Sequence, residues 1–221
     1  MTTALETRIR AVLDEKSLLR HPFYREWSAG TLPRERLQEY ARQYYHFEAA
    51  FPRFLSALHT RAESPSIRQL LLENLWDEEH GPRNHVALWL EFAAAVGANK
   101  ASVVTSKPNA ETAGLVNAFM EICQTGPLGE ALATLFAYEG QVPAIAWEKI
   151  KGLSEHYQMS PDKFEFFSVH LVSDVAHAGA EMQAIAELTI EEDAVVAAAS
   201  KSCDLLWRFL DGCSAPAASR N

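Results

Sequence analysis

Apolar residues recur every three or four positions along nearly the whole chain, and the strict alternation typical of β-strands is absent. This spacing predicts amphipathic helices. The first predicted helix covers residues 3–15, a connection follows at 17–32, and the second helix runs from Pro33 to about residue 61. Proline is tolerated in a first helical turn, as at Pro33, whereas Pro52 inside the second helix predicts a kink.

Five more helices are predicted in the rest of the chain. One runs from Ser64-Pro65 to about Gly97, before a polar loop at residues 98–108. The others are predicted over residues 110–124, over 129–152, from Pro161 onward, and from Thr189 to about Gly212. The predicted fold class is therefore all-α, a single-domain bundle of about seven helices over residues 1–213, with a disordered tail at 214–221.

Three polar residues interrupt the apolar pattern of the sixth predicted helix. His170, Asp174 and His177 are spaced by four and three, so they lie on one side of a helix. Burying two imidazoles and a carboxylate is costly unless they gain a partner, and a metal ion provides one. The alternatives are a solvated face, or a core histidine that is hydrogen-bonded to Asp174.

The third predicted helix carries a second carboxylate–imidazole pair. Glu78 and His85 are seven residues apart and share a face. An exposed acidic run at Asp77–Glu79 would explain the carboxylates, but it explains His85 less well, because apolar residues surround that histidine. His80 has no matching partner and is expected at the surface or outside the ligand set.

Glu139 is a lone carboxylate in the long apolar run of the fifth predicted helix. An unpaired buried carboxylate would stay protonated or cost several kcal/mol. Pro143 follows Glu139 by four residues, just as Pro82 follows Glu78. Each proline removes the donor to the carbonyl four residues earlier, so both carboxylates are predicted at a helix distortion.

Six candidate ligands therefore come from three predicted helices: Glu78, His85, Glu139, His170, Asp174 and His177. Three imidazoles and three carboxylates exceed the four ligands of a zinc site. They match two first-row metals that share a bridging carboxylate, either two irons or iron with manganese. Three carboxylates leave one positive charge on two divalent ions, and this leaves room for an anionic oxygen ligand.

The composition of the chain excludes several classes of function. The net charge of −9 and the lack of a basic run argue against nucleic-acid binding, and no apolar stretch is long enough to span a bilayer. No signal-peptide pattern is present, so the expected location is the cytoplasm. The chain has three widely spaced cysteines, Cys123, Cys203 and Cys213. Their number and spacing indicate reduced thiols and no disulfide framework.

The chain resembles the CADD family of haem-oxygenase-like dimetal oxidases from about His21 to Phe209. The resemblance rests on the runs HPFY, YYHFEAAFPRFLSALH, ENLWDEEHGPRNH, YEGQVP, EKIKGL and HLVSDVAHAGAEM. It implies a haem-oxygenase-type bundle of seven helices, shared with TenA thiaminases and the pyrroloquinoline quinone biosynthesis protein C. Members of this fold often dimerise, so a homodimer is expected.

The resemblance also implies a function and its residues. Family members are linked to p-aminobenzoate formation for folate, with dioxygen and a reductant consumed at a dimetal centre whose ligands match the six above. The product is cut from the protein's own tyrosine, which matches Tyr24, and a lysine that matches Lys149 is the amine source. Tyr40 and Tyr138 match family tyrosines near the site.

Several alternatives remain open at this point. Tyr24 could be a packing aromatic, and Lys149 is about 80° from the Glu139 face on a straight helix, so only the distortion at Pro143 or its flexible stem would bring it inward. A dimetal oxygenase or decarboxylase could act instead on an external amino acid or fatty acid. The chain could also be a metal-free thiaminase-like hydrolase, a cofactorless quinone oxidase or a binding module.

Overall fold

A computed structural model describes residues 3–214 of the chain, and its regular structure is helical throughout. Two short 3-10 turns lie at Leu18–Arg20 and Pro161–Lys163. The α-helices are α1 Ala4–Glu15, α2 Pro22–Ser28, α3 Arg34–Glu48, α4 Phe51–Arg61, α5 Pro65–Glu79, α6 His85–Ala95, α7 Lys100–Thr105, α8 Ala110–Thr125, α9 Leu128–Glu139, α10 Val142–Glu155, α11 Glu165–Ala186 and α12 Glu192–Ser214. The predicted all-α fold is confirmed. Of the predicted tail, Ser214 ends α12, and residues 215–221 lie outside the described residues.

Three of the predicted helices are each divided in two, which accounts for much of the difference from the seven predicted. A helix boundary lies near each predicted distortion: Pro52 lies in the first turn of α4, Pro143 lies in the first turn of α10, and Pro82 lies between α5 and α6. The linking residues 49–50 and 140–141 keep right-handed helical backbone angles, so the chain bends at Pro52 and Pro143, as predicted. Before Pro82 the chain leaves the helical conformation. Proline cannot donate to a preceding carbonyl but suits a helix start, so the chain begins a new helix near each one. The connection and loop predicted at 17–32 and 98–108 contain α2 and α7.

Helix α9 lies at the centre of the bundle, packed against α11 and α12. Every residue from Ala131 to Glu139 is buried, which is why this segment lacks a polar face. Helix α10 packs on α11, α4 on α5, and α1 on α12. The central position of α9 places the carboxylate of Glu139, its last residue, beside α11. No helix among the described residues is both long and apolar enough to cross a membrane.

Candidate functional site

The six ligand candidates lie together inside the bundle. Helix α5 ends with Glu78 one residue from its terminus, and α6 starts at His85. The side chain of Asn84 caps α6 by accepting a hydrogen bond from the Ala87 amide at 3.0 Å. This cap fixes the direction in which α6 starts and so positions His85. None of the six ligand candidates is more than 6% exposed.

One cluster consists of Glu139, Asp174 and His177. The Nδ1 atom of His177 lies 3.5 Å from Glu139 Oε1 and 3.7 Å from Asp174 Oδ1. Its other nitrogen, Nε2, donates to the carboxylate of Asp77 at 3.1 Å. The amide of Asn74 donates to Glu139 Oε1 at 3.0 Å. Carboxylate and amide partners of this kind orient metal ligands, so Nδ1 of His177 is the atom available to a metal.

A second cluster contains His85, His170 and Glu48, whose ligating atoms lie within 4.8 Å of one another. Nδ1 of His170 donates to the carbonyl of Phe166 at 2.7 Å, which leaves Nε2 free to bind a metal. Glu78 lies beside this cluster, with Oε2 3.0 Å from Nδ1 of His85. The two clusters can therefore hold two metal ions, and Glu78 lies next to one of them.

Buried atoms without a hydrogen-bond partner in residues 3–214 are concentrated here. They include Glu48 Oε1, Glu78 Oε2, His85 Nδ1, Asp174 Oδ2 and His177 Nδ1. Each such atom costs roughly 1–3 kcal/mol when it is left unpaired. Imidazole nitrogens and carboxylate oxygens are the donors that iron and manganese accept, so the donor set fits the expected pair of metals.

The electrostatics of the site also fit metal binding. Burial, and next the charge of Glu139, raises the pKa of Asp174 well above its usual value. Burial, and next the charge of nearby His85, lowers the pKa of His170 well below its usual value, so this imidazole is neutral. Burial opposes the charged form of His177, but its contacts with Glu139 and Asp77 prevail and raise its pKa to about 9. Metal ions would replace the protons that otherwise hold such a cluster together.

The neighbours of Glu78 on α5 point outward. Glu79 and His80 are exposed, and the His80 ring stacks on exposed Trp76 at 4.0 Å between centroids. Glu78 is thus the buried residue of this run and His80 lies at the surface, as the sequence predicted. His85, however, begins the next helix and does not share one continuous helix with Glu78.

A small aromatic cavity of about 30 Å³ adjoins the second cluster, and His170 forms part of its wall. Its polar lining comes from α2, α3, α9 and α10: Tyr24, Tyr40, Tyr44, Tyr138 and Lys149. The hydroxyls of Tyr44 and Tyr138 are hydrogen-bonded to each other. All three tyrosines expected near the site therefore face one space, and this space reaches the candidate metal centre.

Lys149 lies inside this cavity, only 4% exposed. Its Nζ donates to the hydroxyl of Tyr40 at 2.6 Å and lies 5.3 Å from the centre of the Tyr24 ring. The chain changes direction between α9 and α10, after Glu139. Lys149 can therefore face the cavity, although a straight helix would point it away from the Glu139 face. Burial lowers the pKa of Lys149 to about 7, so much of the amine is neutral near neutral pH.

Tyr24 lies in a helix and is buried, which differs from the position predicted from the sequence. The sequence placed it in a connection, whereas it lies in α2 and is only 5% exposed. His21 caps this helix by accepting from the Phe23 amide at 3.0 Å, and Pro22 occupies the first turn. Tyr24 is therefore both a core aromatic and a neighbour of Lys149.

Sequence reasoning missed Glu48, Tyr44 and Glu181. Glu48 and Tyr44 follow Tyr40 at intervals of four on α3, so they share its face, but the aromatic residues hid that pattern. Glu181 follows His177 by four and extends the stripe on α11. Burial, and next the nearby Glu139, raises its pKa well above the usual value. A search for carboxylates on the faces already chosen would have found both acids.

The chain is similar in sequence and in fold to known proteins. Residues 38–207 match the family described as "Iron-containing redox enzyme". A 4-aminobenzoate synthase of Nitrosomonas europaea is 42% identical over 96% of this chain and 91% of its own length. One from Chlamydia muridarum is 39% identical over 95% and 90%. A TenA homologue of Pseudomonas syringae shares the fold, with a TM-score of 0.84 at 16% identity, over 96% of this chain and 93% of that one.

Proposed function

Because the chain belongs to the 4-aminobenzoate synthase family of haem-oxygenase-like, iron-containing redox enzymes, we propose that it forms p-aminobenzoate from its own Tyr24. The reaction uses dioxygen and a reductant at a dimetal centre, and the product serves folate biosynthesis. The observation that carries this proposal is the buried amine of Lys149 beside the Tyr24 ring, in a cavity whose wall includes His170.

The metal centre draws on the six predicted ligands. Glu78, His85 and His170 would hold one first-row metal, and Glu139, Asp174 and His177 would hold the other. When bound, the pair of iron ions, or iron with manganese, supplies the activation of dioxygen. The protein encloses the pair among buried side chains, which excludes bulk water from the oxidising site.

The cavity residues hold the reacting groups together. p-Aminobenzoate contains the tyrosine ring and one further carbon, so the Cα–Cβ bond of Tyr24 breaks and Cβ is oxidised to the carboxylate, with dioxygen as the oxidant. The nitrogen of Lys149 replaces the phenol oxygen, which leaves as water. The Cε–Nζ bond of Lys149 then breaks, and dioxygen also accepts the two electrons that leave Cε as an aldehyde. Tyr40 accepts the hydrogen bond from Lys149 and holds the amine at the ring of Tyr24. Holding both groups in one enclosed space replaces an encounter in solution by an intramolecular step.

The size of the cavity favours an internal substrate over an external one. At about 30 Å³ it has room for a water or dioxygen molecule. Sites for external small molecules usually measure roughly 300–1,000 Å³. The alternative of an oxygenase acting on an added amino acid or fatty acid would require this aromatic cluster to open.

The thiaminase-like alternative needs a nucleophilic cysteine. Cys123, Cys203 and Cys213 are buried and free, and none lines the cavity. Burial raises the pKa of Cys213 well above its usual value and that of Cys203 to about 11. Such thiols carry little thiolate at neutral pH and are poor nucleophiles.

The function is tested by loading the purified protein with iron or with iron and manganese, then adding a reductant and dioxygen without any substrate. We expect p-aminobenzoate at no more than one equivalent per chain, together with a loss of polypeptide mass. Intact-mass spectrometry and chromatography of the product measure both. Loaded protein that consumes dioxygen but keeps its mass and releases no p-aminobenzoate would contradict the proposal.

Paired substitutions on α5 and α6 test the ligand register. Glu78→Ala and His85→Ala are expected to abolish p-aminobenzoate formation, because both side chains are buried in the centre. Glu79→Ala and His80→Ala are expected to retain it, since both side chains are exposed. Single-turnover yields of the four variants are compared after equal metal loading. If His80→Ala loses as much product as His85→Ala, the assigned register is wrong.

The buried amine predicts a pH dependence. Lys149 attacks as a neutral amine, and burial lowers its pKa to about 7. The single-turnover rate should therefore rise with pH through about 7 and then level off, falling about tenfold per pH unit well below that value. Metal content is measured in the same samples, so that loss of metal at low pH is not mistaken for protonation of Lys149. A rate that is flat or falls across this window at constant metal content would exclude Lys149 as the amine.

A further inference from the structure

Glu48 is a buried carboxylate outside the six-ligand set. It is the last residue of α3 and only 2% exposed. Its Oε1 atom has no hydrogen-bond partner among the described residues. Helix α3 contributes none of the six expected ligands, so the proposed function leaves Glu48 without a role. A buried carboxylate in this state costs stability unless it has a partner.

The position of Glu48 supplies such a partner. One of its oxygens and ring nitrogens of His85 and His170 lie within 4.8 Å of one another. A single ion placed among three such atoms would contact all of them. Glu78, the carboxylate expected at this metal, instead lies beside Nδ1 of His85. Glu48 is therefore the carboxylate that the structure groups with both imidazoles.

We propose that Glu48 is a seventh protein ligand, which binds the metal held by His85 and His170. The proposal rests on the dimetal centre of the proposed function and adds a residue to it. With Glu48, four carboxylates balance the charge of two divalent ions, where three would leave one positive charge. Metal binding also gives the unpaired Oε1 atom the partner that it lacks.

This ligand would connect the metal centre to the aromatic cavity. Glu48 is four residues from Tyr44 and eight from Tyr40 on the same helix, and both tyrosines line the cavity. A metal bound at Glu48 therefore fixes the end of α3 next to these two tyrosines. The hydrogen bond from Lys149 to Tyr40 depends on the position of the same helix.

The test is metal binding by Glu48→Gln, a substitution that keeps the shape of the side chain and removes its charge. Equilibrium dialysis against Mn²⁺, with metal analysis, is expected to show at least about a tenfold loss of affinity at one of two sites, since even outer-shell changes cost 10–100-fold. Glu39→Gln on the same helix is the control, because Glu39 bonds to Arg42 and Gln43 instead. Two sites of unchanged affinity in Glu48→Gln would overturn the proposal.

A second measurement does not depend on a variant. In a crystal structure of the Mn²⁺-loaded wild type, an oxygen of Glu48 should lie within about 2.0–2.3 Å of the metal bound by His85 and His170. Two bound ions with Glu48 beyond bonding distance of both would refute the role of Glu48 and leave the proposed function intact. A wild type that binds no metal would refute the dimetal centre itself.

Discussion

Glu139→Ala and His170→Ala should each lose at least one of the two metals and all detectable p-aminobenzoate formation. Glu139 is 1% exposed and lies 3.5 Å from Nδ1 of His177, so no water-exposed group can take its place. His170 belongs to the second cluster and also forms part of the wall of the aromatic cavity. Metal content by elemental analysis and product yield in a single turnover measure the two effects.

The apo forms separate a ligand role from a folding role. Removing one of several crowded buried carboxylates lowers their mutual repulsion. The melting temperature of apo Glu139→Ala should therefore fall below that of the apo wild type by no more than the cavity left by the missing side chain explains. The wild type should gain thermal stability with added metal, and Glu139→Ala should gain less. Glu79→Ala, a carboxylate removed from the exposed face of α5, is the matched control. Full activity in a protein stripped of metal would end the dimetal interpretation.

Part of the candidate metal site was predictable from the sequence because it depends on short spacings within one helix. His170, Asp174 and His177 lie on the continuous helix α11, so a period of 3.6 residues was enough to group them. Glu78 and His85 also end up side by side, although the chain breaks between them. The sequence did not show how far each proline would interrupt its helix, because a proline can either bend a helix or end it.

The rest of the site depends on contacts between segments that are distant in the chain. The spacing of four places Glu48 on the face of α3 that carries Tyr40 and Tyr44, but it does not show that this face meets His85 and His170. That depends on the packing of α3 against α6. The burial of Lys149 likewise follows from the new direction of α10 after the bend at Gly140 and Gln141. Tyr24 was expected in an open connection because the short helix α2 depends on its His21 cap and on packing against α10 and α12.

Tyr24→Phe is expected to keep the fold and both metals but to release no p-aminobenzoate. The substitution removes only the hydroxyl and keeps the buried ring, so the expected loss of stability is about 1 kcal/mol. Without the phenol oxygen the ring lacks the group that nitrogen replaces. Circular dichroism, metal analysis and a single-turnover assay on the same preparation separate these outcomes. Tyr45→Phe is the control, because Tyr45 is only partly buried and does not line the cavity.

The wild-type protein should also be changed by its own reaction. Because Tyr24 is buried, removal of its ring leaves a cavity in the core, which typically costs roughly 3–5 kcal/mol. Protein recovered after one turnover should therefore melt at least several degrees lower than unreacted protein, with a mass loss in the peptide that holds Tyr24. Ring-labelled tyrosine incorporated during synthesis of the protein should appear in p-aminobenzoate, and free labelled tyrosine should not. Repeated turnover of an added substrate with Tyr24 intact would instead support the external-substrate oxygenase, since a protein that donates its own ring reacts only once.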